Sequence, residues 1–119
     1  MKYLLALFWI VAASALSGQS LQTKPPEERA RIMTDSMRIY FQLSPAQTEK
    51  VAELNLRYAH IMEKEVMRSG KNAFGKYTTG MKINNHKETE LKKILTGAQF
   101  ALYEKQKKKA MGRIWQAIF

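Results

Sequence analysis

Leu43-Ser44-Pro45-Ala46-Gln47 and Leu95-Thr96-Gly97-Ala98-Gln99 are two copies of one word, L-[S/T]-x-x-Q, about 52 residues apart. Each lies between stretches of apolar periodicity, where a helix should begin. The local physics is a capping box. A hydroxyl at the N-cap accepts from the N3 amide, and a glutamine at N3 reaches back to the N-cap amide. The leucine before each cap falls at N′, placed to staple against the first turn. Pro45 falls at N1, where its missing N–H removes no helical hydrogen bond. The two words therefore predict two helix starts with the same chemistry. Most such words are ordinary caps, so functional content has to come from what surrounds them.

Outward from the first word, Pro25-Pro26 closes a lead-in, residues 20–26, read as flexible. Glu27-Glu28 then place acids at the positive end of a helix dipole. The spacing predicts a helix over 26–41, with Ala30, Met33, Met37 and Tyr40 on one face and Ile32, Ile39 and Phe41 beside it. A second helix is expected from Ser44 to about Arg68, with the stripe Val51, Leu54, Tyr58, Ile61 and Met62. Lys50, Arg57 and Lys64 recur by sevens along its edge. Gly70, Gly75, Gly80 and Asn84-Asn85 lower helix propensity, yet Phe74, Tyr77 and Met81 keep helical spacing. A helix is expected to resume near Asn72, kinked or frayed, and to be firm from about His86 to Leu95. The second word starts a last helix, to about Ala117, with Phe100, Tyr103, Ala110, Met111, Ile114, Trp115 and Ile118 on one arc. Lys105, Lys109 and Arg113 line its other side. No strand alternation occurs, so the expected fold class is all-α: about four helices in long antiparallel hairpins.

The N terminus reads as an export signal. Met1-Lys2 is followed by an apolar run from Tyr3 to Leu16 and small residues to Ser20. Residues 1–19 are expected to be a signal peptide, cleaved after Ala13-Ser14-Ala15 or Ala15-Leu16-Ser17, with a retained signal anchor as the alternative. The run is shorter than the ~20 residues of a membrane-spanning helix. Residues 20–119 then form one domain. Lys and Arg number 20 against 10 Asp and Glu, a net charge of +10. Such a balance attracts acidic protein segments or anionic membrane surface; export argues against nucleic acid. There is no cysteine, hence no disulfide framework. A small helical core without disulfides makes a homodimer the expected way to bury more surface.

Catalytic patterns are missing: no GxSxG, P-loop, HExxH or cysteine. His60 and His86 are far apart, and neither has a partner at metal-ligand spacing, so no metal or cofactor residue is assigned. The seven methionines, five tyrosines and five phenylalanines are many for this length. Met33, Met37, Tyr58, Ile61 and Trp115 read as core or dimer interface. Met62, Met67, Met81 and Phe119 are more open to binding, since methionine adapts its shape to varied partners.

Two such words behind an export signal resemble the LTxxQ-motif proteins of the Spy/CpxP family, small all-helical proteins of the Gram-negative periplasm. The resemblance spans about residues 26–117, with Ser44 departing from the threonine of the motif. Val51–Ala59 and Glu90–Tyr103 are also similar to that family, more to its less characterised members than to its best-studied chaperones. The resemblance implies a curved dimer whose concave, basic and apolar surface holds unfolded or partly folded envelope proteins without ATP. Lys50, Arg57, Met62, Lys64, Met67, Lys105, Lys109 and Arg113 are the residues expected to supply that surface. Two other readings follow: docking on the sensor domain of an envelope-stress kinase, or a basic amphipathic protein on anionic lipid.

Overall fold

Pro26 opens α1 (Pro26–Phe41) with a ring that supplies helical φ, and Glu27 and Glu28 stand in its first turn. A computed structural model describes residues 24–118, and side chains through Gly112. The signal-peptide reading, Phe119 and the side chains of Arg113, Ile114, Trp115 and Ile118 lie outside what is described. The helix stops where Gln42 takes a left-handed conformation, φ 54°. The Leu43 N–H then closes back on the Arg38 carbonyl at 3.1 Å, so carbonyls at the helix end are not left bare.

Ser44, extended at φ −67° and ψ 163°, caps α2 (Pro45–Met62). The chain stays helical to Met67, as expected to about Arg68, but its last turn, Glu63–Met67, is a π-turn. A wider turn loosens the backbone ladder there, and Arg29 of α1 uses the opening. Its guanidinium donates to the Ala59 carbonyl at 3.4 Å and pairs with Glu63 at 2.9 Å. Arg29 is 2 % exposed and also donates to the Lys24 carbonyl. Glu63 accepts from Arg68 as well, and the Arg29 guanidinium first, then Arg68, holds its carboxyl below the usual range.

α3 (Ala73–Ile94) starts at an Asn72 cap, whose Oδ1 accepts from the Gly75 N–H at 2.8 Å. It runs unbroken through the glycines and asparagines expected to kink it. Gly80 faces Val66 of the π-turn, and buried Asn84 donates to Glu88 one turn on. This packing and the side-chain bond offset a propensity loss of about 1 kcal/mol per glycine. α4 (Gly97–Ile118) follows the Thr96 box.

Among the described residues the fold is all-α, with these four helices and no strand. α1 and α2 are antiparallel: Glu27 meets His60, and Thr34 meets Asn55. α2 and α3 are antiparallel too, with Arg57 opposite Glu90 and Val66 opposite Gly80. α4 packs on α1 and α3 near the turn between α1 and α2: Tyr103 lies beside Phe41, Gln106 donates to the Tyr40 hydroxyl, and Tyr103 and Lys107 reach Glu88. The core is Met33, Met37 and Phe41 from α1, Val51, Leu54 and Tyr58 from α2, Leu91 and Leu95, and Tyr103. Ile39, expected beside the α1 core face, turns to solvent instead.

Candidate functional site

Both capping boxes form as the sequence predicts. The Gln47 N–H donates to Ser44 Oγ and the Ser44 N–H to Gln47 Oε1, at 3.1 and 3.0 Å. The Gln99 N–H donates to Thr96 Oγ1 and the Thr96 N–H to Gln99 Oε1, at 3.1 and 2.9 Å. Leu43 and Leu95 are buried at the N′ positions. Sequence reasoning missed that the boxes meet. Gln47 Nε2 donates to Gln99 Oε1 at 2.7 Å, and Gln99 Nε2 donates to Gln47 Oε1 at 3.2 Å. The second hydrogen of each amide goes to the carbonyl ending the other copy's preceding helix: Gln47 to Ile94 at 3.2 Å, Gln99 to Phe41 at 3.1 Å. Each glutamine thus joins two helix starts and a helix end. One signal was present in sequence, the identical chemistry of the repeats, but nothing in it fixed their distance.

The residues expected to hold clients do not form one patch with equal freedom. Arg57 is spoken for. It grips Glu90 with both guanidinium nitrogens, at 3.0 and 2.8 Å, and Tyr58 donates to the same carboxylate. Hydrogen bonds from Arg57, then Tyr58, hold the Glu90 carboxyl down to about 2. The heptad spacing showed that Arg57 shares an edge with Lys50 and Lys64, but not that α3 brings an acid to it. Lys50, Lys64, Lys105 and Lys109 are exposed and make no ion pair with the described residues. Met62 and Met67 are half-buried.

Two further places stand out. Glu88 gathers Tyr103, Lys107 and Asn84 at 2.7, 2.7 and 3.1 Å. Burial, and then the Glu88 charge, push the Tyr103 phenol well up. Next to it in sequence, Lys87 sends its ammonium inward to the Met33 sulfur, 3.1 Å away. Loss of hydration lowers the amine to about 8, despite the opposing pull of Glu88. The first turns of α3 bury nothing: Phe74 is 76 % exposed and Tyr77 is exposed beside it. Among the described residues the His60 ring meets Glu27, at 3.2 Å on the surface. Among the described residues no three His, Asp or Glu side chains gather as a metal site would need, and no helix is long and apolar enough to cross a membrane.

A family model described as a domain of unknown function, DUF4890, matches residues 15–103. The chain belongs to the DUF4890 family. The match covers α1, α2, α3 and the start of α4, hence both capping boxes and their junction. No curated protein and no solved structure matches this DUF4890 chain.

Proposed function

We propose that the protein is a periplasmic helical binding protein that holds non-native envelope proteins without ATP, as Spy/CpxP-like chaperones do. The observation that carries this reading is how the charge is shared out. Glu28, Asp35, Glu63, Glu88 and Glu90 are engaged in ion pairs within the chain, and Glu27 meets His60. Each ties down a cation or histidine of its own fold; Glu49, Glu53, Glu65 and Glu104 stay exposed, and the lysines facing solvent outnumber them. Lys50 on α2, Lys64 on the π-turn, and Lys105 and Lys109 on α4 are exposed and carry that free charge. Long-range attraction of this kind raises encounter rates with acidic or unfolded chains more than final affinity. Half-buried Met62 and Met67 lie on the same helical stretch as Lys64 and offer adaptable apolar contact. Arg57 drops out of the set, because its charge is met by Glu90.

Light scattering of an aggregating denatured client tests the proposal. Equimolar protein should suppress the signal, and the joint variant Lys50→Glu/Lys64→Glu should suppress it less. Salt at about 0.5 M, where screening shortens to a few ångströms, should remove most of the effect. No suppression at equimolar protein would sink the reading.

A further inference from the structure

A second surface is independent of those lysines. From Val66 to Lys87 the chain carries Arg68, Lys71, Lys76, Lys82 and Lys87 and no Asp or Glu. This stretch covers the α2–α3 connection and the first half of α3. Phe74, Tyr77 and Met81 follow one another at three- and four-residue steps, so they share a side of the helix. Phe74 is the most exposed of the three, in the first turn beyond the Asn72 cap. Lys71 is fixed beside it. Its Nζ donates to the Glu65 carbonyl at 3.1 Å, and its stem occupies the space left open at Gly75, where a Cβ would come within 3.2 Å of it.

We propose that this connection and the first turns of α3 are a membrane-docking tip, with Phe74 entering an anionic bilayer and Lys71 and Lys82 on its phosphate headgroups. Charge selects the occupant. A second copy packed face to face would set these lysines against their own equivalents. The segment 1–23 carries Lys2 and no acid, so it has no complement to offer either. A phosphate-bearing surface complements Lys71, Lys76 and Lys82; Arg68 is paired with Glu63, and Lys87 is turned inward to Met33. The shape agrees: an aromatic ring standing proud of a helix start is an inserting group, not a groove that receives one. One apolar insertion or one basic patch alone gives weak, reversible binding, and the two together hold.

Flotation of the full chain with lipid vesicles tests this. The apolar run Tyr3–Leu16 is common to all variants, so only differences between them are read. Vesicles of phosphatidylethanolamine with phosphatidylglycerol should bind the wild-type chain about tenfold better than phosphatidylcholine vesicles. Phe74→Ser, and separately Lys71→Glu/Lys82→Glu, should each weaken that binding about tenfold with unchanged helical circular dichroism. Ile39→Ser, an equally bare position on α1, should leave it alone. The proposal is overturned if Phe74→Ser floats like wild type, or if both lipids bind alike. It is also overturned if Phe74→Ser turns a dimer into a monomer by light scattering. The same holds if the variants lose reduced, carboxymethylated lactalbumin, an acidic unfolded chain, while keeping the vesicles. Client holding by Lys50 and Lys64 stands or falls separately.

Discussion

At the junction of the two pentads every amide atom of Gln47 and Gln99 has a partner. Between α1 and α2 the situation is reversed. Asn55 is 1 % exposed; its Nδ2 serves Thr34 and the Met37 sulfur, but its Oδ1 has no hydrogen-bond partner among the described residues. On α3, Lys87 presses an ammonium against a thioether. Both regions put polar groups inside a small helical bundle. Only the first returns to those groups what water gave them. A buried polar group stabilises when its bonds are complete and costs about 1–3 kcal/mol when one is missing. The comparison separates polar residues that hold this fold from polar residues that the fold tolerates.

The sharpest way to break that contrast is at the junction. Gln99→Ala removes both bonds to Gln47, the bond to Phe41 and the return bond to Thr96. It should lower unfolding stability by about 2–3 kcal/mol in urea melts. Gln47→Ala should cost a similar amount. The double variant should cost clearly less than the sum, with a coupling of about 1 kcal/mol or more, because one network is lost once. Additive losses would mean that the two boxes act as separate caps.

Lys87→Met should move the other way. The folded amine near 8 lies below the ordinary lysine range, so the folded state holds the proton less tightly than the unfolded chain. Stability of the wild-type chain should therefore rise between about pH 8 and pH 10.4 and be lowest below that window. Lys87→Met should stabilise by roughly 2 kcal/mol at pH 7, and the gain should shrink as pH passes through the window. A destabilised variant, or a gain that ignores pH, would show that the ammonium is better solvated than its place beside Met33 implies.

Asn55→Leu should have the smallest effect, within about 1 kcal/mol of wild type in the same melts and of either sign. Thr34 loses a donor but still donates to the Ala30 carbonyl at 2.8 Å. The orphan oxygen disappears. A loss as large as that of Gln99→Ala would place Asn55 with the residues that hold the fold, and erase the distinction.

The sequence by itself determined the helices and where they start. Ser44, Thr96, Gln47 and Gln99 are within three residues of one another in their own copies, and a capping box needs nothing further away. The apolar stripes likewise named Met33, Met37, Val51, Leu54, Tyr58 and Leu91 as core, because helical period fixes which side chains share a face. Tertiary structure alone decided that Gln47 and Gln99 clasp, that Arg57 is neutralised by Glu90, that Arg29 is drawn into a π-turn, and that α3 stays unbroken through its glycines. Those outcomes depend on which helix faces arrive opposite each other. Each is a contact between residues more than a dozen positions apart or a response to one, and periodicity within a helix carries no record of its partner.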